Sequence, residues 1–180
     1  MQTVDTLVLA TGGGGIQTAG GTVVVAADGT LDSQKQLFND AVVVTASGWV
    51  PATTGTTNLA TNLSAKKFYI PLGGLRVGDQ IVSFSIKGAL SATGGAATVI
   101  DADLRKVTGA ADAVTDASVG AITQVSVTAD AALNASKTFA ATETVATGFQ
   151  YYVLVTGTTA NDAACTAQVI GVELTVNKVV

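Results

Sequence analysis

The sequence predicts an all-β fold: an antiparallel β-sandwich, wound as a jelly roll, with an extended N-terminal arm. Three observations lead there. Beyond residue 64, apolar and polar residues alternate with a period of two over several stretches, as a strand with one buried face requires. Threonine and valine, whose branched Cβ favours extended backbone, recur between turns rich in Gly and Asp. Helical signals are thin, and a parallel sheet would need the crossover helices that are missing here.

The first 47 residues differ in texture from the rest. A four-glycine run (Gly12 to Gly15) is followed by Gly20-Gly21, and Val23-Val24-Val25 and Val42-Val43-Val44 are short runs apolar on both sides. Such runs fit strands covered on two faces or segments that pair with a neighbouring subunit. Residues 1–47 therefore read as a Gly-rich arm, or as an extra hairpin turning at Asp28-Gly29. Residues 48–180 read as the sandwich. Within the first region, 31–39 carries a helical signal of one or two turns, with Asp32 or Ser33 as cap and Leu37-Phe38 as the apolar contact.

The strands of the sandwich follow in order. Residues 68–72 form an extended piece closed by Pro71 and Gly73-Gly74. In 80–87, Val82, Phe84 and Ile86 share one face, and Ile81, Ser83, Ser85 and Lys87 the other. In 98–106, Ile100, Ala102 and Leu104 point inward while Asp101, Asp103 and Arg105 point out. In 121–128, the step from Ile122 to Val125 and Val127 changes phase, which predicts a bulge. The Ala-rich stretch 129–136 has helix propensity but no apolar stripe. In 149–156, Phe149, Tyr151, Val153 and Val155 face in; in 168–178, Ile170, Val172, Leu174 and Val176 face in and Gly171, Glu173, Thr175 and Asn177 out. The polar loop 157–162 between these two strands is of hairpin length, so the pair is expected to form an antiparallel hairpin.

Composition argues against chemistry. The chain has no histidine, one cysteine (Cys165) and only two glutamates (Glu143 and Glu173), the side chains that do most proton transfer, nucleophilic attack and metal ligation near neutral pH. Only 12% of residues are charged, about half the usual quarter. A net charge of −4 disfavours nucleic acid, which rewards clusters of Lys and Arg. Mean hydropathy is +0.47, yet no stretch approaches the roughly 18 apolar residues that a membrane-spanning helix needs. The start, Met1 to Asp5, lacks the basic segment of a secretory leader. Cys165, set among Ala163, Ala164 and Ala167, reads as a small buried hydrophobe.

The remaining constellations mostly have structural readings. Gly12 to Gly15 lacks the Lys and Ser/Thr of a phosphate loop and reads as a hinge. Asp101 and Asp103 share a face with Arg105, but a hard cation wants six or more oxygens, so a solvated charge ladder is expected. Asp112 and Asp116 are placed in an Ala/Thr loop. None of the aspartates stands out as the tuned carboxyl that general acid work requires. No cofactor or metal site is predicted. Trp49, Phe68, Tyr69, Tyr151 and Tyr152 are the ring candidates for a sugar-binding platform, but Phe84, Phe149 and Tyr151 are assigned to the core, leaving Trp49 and Tyr152 for a surface. Trp49, Tyr152, Val23, Val24 and Val25 are the interface candidates.

The phrase from Phe68 to Ile81, Phe-Tyr-Ile-Pro-Leu-Gly-Gly-Leu-Arg-Val-Gly-Asp-Gln-Ile, and the late aromatic strand from Tyr151 to Val155 resemble small virion proteins of tailed bacteriophages. The Thr/Ala/Gly-rich, histidine-poor character is also similar, and the resemblance spans about 49–176. It implies a jelly-roll module that trimerises and either decorates the capsid or forms a head or tail fibre, with the major capsid protein as partner and the virion as its location. Few charges and many small residues suit contacts between like subunits, where charge is depleted at the interface core. The expectation is a non-enzymatic, homotrimeric decoration protein that binds neither nucleic acid nor membrane; the alternative is a glycan- or receptor-binding fibre module.

Overall fold

Strands account for every regular element of this computed structural model, which describes residues 16–17, 23–25, 30–38, 48–51, 55–162 and 164–179. In chain order they are β1 (Ile16–Gln17), β2 (Val23–Val25), β3 (Thr30–Phe38), β4 (Trp49–Pro51), β5 (Thr57–Leu59), β6 (Leu63–Leu72), β7 (Gln80–Ser91), β8 (Thr98–Gly109), β9 (Val114–Val127), β10 (Ala131–Thr144), β11 (Gln150–Thr159) and β12 (Thr166–Val179). They form two antiparallel sheets, and no helix occurs among the described residues.

The first sheet is organised around β12. One edge of β12 pairs with β7, which in turn pairs with the outer strand β10. Its other edge is shared: β5 lies opposite 167–169, and β3 lies opposite 172–179. Beyond β5 is β4; beyond β3 are β2 and then β1. The second sheet has the order β6-β11-β8-β9. From β6 onward only β8 and β9 make a hairpin within one sheet; every other connection crosses between the layers.

Their inner faces supply one core. Phe68, Ile70, Ile100, Leu104, Val153 and Val155 come from the second sheet and Phe84, Ile86, Val172 and Leu174 from the first, each at most 1% exposed. Burying such a side chain is worth about 1.5–3 kcal/mol, so these inward rows hold the two layers together. The alternation expected for 98–106 and for Tyr151, Val153 and Val155 is observed. The bulge expected after Ile122 is present: Ile100 pairs with Val125 and Ala102 with Ile122, so Thr123 and Gln124 both oppose Asp101. Gln124 takes a φ of 50°, and its N–H donates to Asp101 Oδ1 at 2.7 Å.

Several expectations are corrected. The strands 149–156 and 168–178 are not a hairpin: β11 and β12 lie in opposite sheets, because each is an inner strand with both edges already occupied. Residues 31–38 of the expected helical turn 31–39 lie in β3 instead, residue 39 being outside the described residues, and the Ala-rich 129–136 belongs largely to β10. In both, pairing with a neighbouring strand overrides a weak local preference.

Two bulges also move residues to the other face. On β12, Val169 pairs with Gly88 and Gly171 with Lys87, so Ile170 is extra; it is 46% exposed, while Gly171 is buried. Gly88 permits the close approach, since a Cβ there would lie 2.0 Å from the Gln168 carbonyl oxygen. On β7, Ser83 pairs with Thr175 and Ile81 with Val176, so Val82 is extra and Ile81 joins Phe84 in the core.

One loop ties the sandwich together at the end where β12 finishes. Asp79, fully buried, accepts from the Arg76 N–H at 2.8 Å, the Val179 N–H at 3.2 Å and Lys178 Nζ at 2.9 Å. Lys178 also donates to the Gly74 carbonyl at 3.1 Å. Gly78, at a φ of 95°, turns the chain into this joint, and its N–H reaches the Val145 carbonyl at 2.8 Å. The Gly-Asp of the Phe68-to-Ile81 phrase is therefore a structural clasp. Burial alone would raise the Asp79 carboxyl; Lys178 and the two amides outweigh it and hold the group below the usual carboxylate range.

Candidate functional site

The outer face of the second sheet carries the most organised exposed cluster among the described residues. Its geometry follows from register. Alternation sends Tyr151, Val153 and Val155 inward and therefore turns Tyr152 and Leu154 outward. Tyr152 pairs with Pro71 on one side and Arg105 on the other, and Arg105 pairs with Ser118. Leu154 pairs with Tyr69 and with Asp103. Four strands thus place two tyrosines, a leucine, a proline and an Asp/Arg/Asp group side by side, at the roughly 4.8 Å spacing of neighbouring strands.

Hydrogen bonds fix this group. Arg105 Nε donates to Asp116 Oδ1 at 2.9 Å, Arg105 NH1 to Asp103 Oδ2 at 2.6 Å, and Arg105 NH2 to the Asp116 carbonyl at 3.4 Å. The hydroxyl of Tyr152 donates to Asp116 Oδ2 at 2.8 Å, and Ser118 Oγ donates to Asp103 Oδ1 at 2.5 Å. Tyr69 meets Tyr152 edge to face, with ring centroids 5.6 Å apart. Asp116 first and Asp103 second push the Arg105 guanidinium above its ordinary range. Arg105 first and Tyr152 second hold Asp116 below the carboxylate range. Burial, then the bond to Asp116, raises the Tyr152 hydroxyl.

The Arg105 guanidinium sits between Asp103 and Asp116 and keeps Asp116 ionised, so that carboxyl has no proton to donate near neutral pH. The cluster is rigid, amphipathic and preorganised, with its oxygens and rings at one level.

A second polar group closes one end of the core. Glu143 Oε1 accepts from Lys106 Nζ and from the Tyr151 hydroxyl, both at 2.9 Å, and Lys106 lies 5.5 Å from the centre of the Phe149 ring. Burial, and secondarily Glu143, pushes the Tyr151 hydroxyl up to about 12. On the outer face of the other sheet, Lys87 donates to Asn134 at 2.6 Å and lies 3.9 Å from Glu173. No group of three or more His, Cys, Asp or Glu side chains gathers among the described residues. No helix among them is long and apolar enough to cross a membrane.

The sequence candidates separate. Tyr152 lies at the centre of the exposed cluster. Trp49 does not lie on a surface: it is 2% exposed, its ring centroid is 4.6 Å from that of Phe68, and its Nε1–H donates to the Lys66 carbonyl at 2.8 Å. Its indole fits because residue 157 is glycine; a Cβ there would stand 2.5 Å from Trp49 Cζ2. Val23, Val24 and Val25 form β2, with side chains outside the described residues, as is the Gly12-to-Gly15 hinge. Cys165 is buried. Asp116 is on β9, not in a loop, and this placement brings it to Arg105. Sequence reasoning named Tyr69 with Tyr152 as platform candidates and put Leu154 on the face of Tyr152, but missed Asp116 as its neighbour. The signal available was the shared outward phase of Tyr152, Leu154, Asp103 and Arg105.

No family model and no curated protein matches the chain. Among solved structures it is similar to a family two carbohydrate esterase from Cellvibrio japonicus, at 11% identity and a TM-score of 0.36 over 82% of this chain and 34% of that one. The chain spans about a third of that protein's length. The similarity is too slight for that esterase's activity to bear on this chain.

Proposed function

We propose that the chain is a non-enzymatic structural protein of a phage virion, a homotrimeric capsid decoration protein, with its sandwich wound as a jelly roll. The observation that carries this reading is the Tyr69–Tyr152–Arg105 face, a flat and prefixed surface of the residue types that protein interfaces favour. Its occupant in this reading is a sister subunit. The partner of the assembled trimer is the major capsid protein, and its place is the virion, assembled in the bacterial cytoplasm. The jelly-roll reading draws support from the order of the sheets, β3 or β5 with β12, β7 and β10 against β6, β11, β8 and β9, which alternates the chain between layers as a double Greek key does. The resemblance of 68–81 and 151–155 to phage virion proteins supplies the biological setting.

Light scattering on the full chain tests the assembly: the expected mass is that of three chains, and Tyr152→Ala with Arg105→Ala should return one chain still folded by circular dichroism. Co-sedimentation with capsids of the parent phage tests the docking. A wild-type monomer that does not bind capsids rejects the proposal.

The second reading, a glycan-binding module of a head or tail fibre, is favoured by one observation. Exposed Tyr69 and half-buried Tyr152 stand beside the fixed oxygens of Asp103 and Asp116, a platform on which a sugar ring would stack and share its hydroxyls. Glycan-array binding by the wild type that is lost in Tyr69→Ala would favour it over decoration.

A further inference from the structure

The N-terminal strands join the first sheet through one seam, and β3 also approaches β6 of the other sheet. β3 pairs with β2 on one edge and with β12 on the other, and among the described residues it pairs with no other strand. The seam occupies only the C-terminal half of β12, whereas the opposite edge of β12 is paired with β7 from Thr166 to Asn177. Two of the seam's rungs join Lys178 to Leu31 and Val179 to Thr30. Those two β12 residues are the ones that Asp79 holds, through Lys178 Nζ and the Val179 N–H. The seam also carries a fault: Gln36 Oε1, in the rung opposite Leu174, is buried without a hydrogen-bond partner.

We propose that Asp79 is the latch of the N-terminal strands. Its grip on Lys178 and Val179 fixes the end of β12, and the end of β12 seats β3. Opening the latch detaches β1 to β3 while the two-sheet body stays folded. The physical basis is the inequality of the two attachments. The body is held by core side chains exposed 1% or less. Among the described side chains of β3 only Phe38, partly buried, packs against that core, so the seam rests mainly on main-chain hydrogen bonds that water replaces at small net cost, and on a terminus that one buried carboxylate keeps from fraying. Asp79 thereby acts on β3 through the shared end of β12, although the two are distant in the chain. The inference is independent of the function proposed above.

Hydrogen exchange read by mass spectrometry on the full chain tests it. In Asp79→Asn, amides in 30–38 should exchange at least tenfold faster than in the wild type, while those in 98–107 and 150–158 should rise by a much smaller factor. Val179→Pro deletes one donor to Asp79 and leaves the Asp79–Lys178 pair, so it should give the same pattern at smaller amplitude; it serves as the test if Asp79→Asn does not fold. Val153→Ala, a truncation in the core, provides the pattern of general destabilisation. Exchange in 30–38 that is unchanged in the latch variants, or that rises only in step with 98–107 and 150–158 as in Val153→Ala, overturns the proposal. So does a wild type in which 30–38 already exchanges as fast as an unfolded chain.

Discussion

Two clusters in this molecule set aspartate against a basic side chain, and they do different work. Asp79 and Lys178 meet at 2.9 Å with side chains 0% and 12% exposed, and Asp79 also caps two backbone amides. Asp116 and Arg105 meet at the same distance, but on an open sheet face with side chains 41% and 22% exposed. A buried carboxylate deprived of its partners faces a large desolvation penalty, whereas water screens an exposed pair and offers substitute bonds. The comparison teaches that separation alone does not rank such pairs. The first is a joint of the fold; the second shapes a surface.

The largest expected effect breaks the buried cluster. Asp79→Ala strips the Lys178 ammonium of its carboxylate, leaves two backbone N–H groups unpaired, and should cost about 3–5 kcal/mol in denaturant unfolding. The same joint governs acid sensitivity. Because the folded carboxyl lies below its unfolded value, its contribution is fully present above the unfolded value of about 3.9 and is lost as pH falls through the folded one. Asp79→Asn should therefore flatten the loss of stability below about pH 4, while Asp116→Asn, on the exposed face, should leave that slope nearly as it is.

Glu143 lies between the extremes and sharpens the comparison from the alkaline side. Tyr151 is raised in the folded state to about 12, so its contribution is complete below pH 10 and is lost as pH rises from 10 towards 12. Tyr151→Phe should abolish that loss, about 2 kcal/mol across the window, as read by melting temperature against pH. The smallest effect on stability belongs to the surface cluster. Arg105→Ala should change stability by less than about 1 kcal/mol, because solvent screens both of its bonds. If the proposed role holds, it should nonetheless abolish assembly, read by light scattering. A large stability loss in Arg105→Ala would erase the distinction between the two clusters.

Much of the sandwich was legible because one-sided burial writes itself as alternation. Ile100, Ala102 and Leu104 against Asp101, Asp103 and Arg105 needed nothing further. Bulges were legible only when their residues broke phase visibly. Ile122 and Val125 did so; Ile81, apolar in a polar row, stood out but read as a strand end, while Ile170 looked like an ordinary member of its row until the pairing of β12 with β7 displaced it. Trp49 was misplaced because a ring flanked by Gly48 and Val50 gives no sign of the glycine at 157 that makes room for it. The Asp79 joint was invisible for the same reason, as its partner lies 99 residues away in the chain.

By itself the sequence determined that the chain is extended, that its strands are one-faced and antiparallel, and which side of most strands is wet. These are properties of a residue and its nearest neighbours, fixed by Cβ branching and by a repeat of two. Only the tertiary structure decided which strands are neighbours, and with that the separation of β11 from β12, the meeting of Asp116 with Arg105, and the clasp of Asp79 on the last strand. Register and sheet order depend on contacts between residues far apart in the chain, and alternation reads the same whichever partner a strand takes.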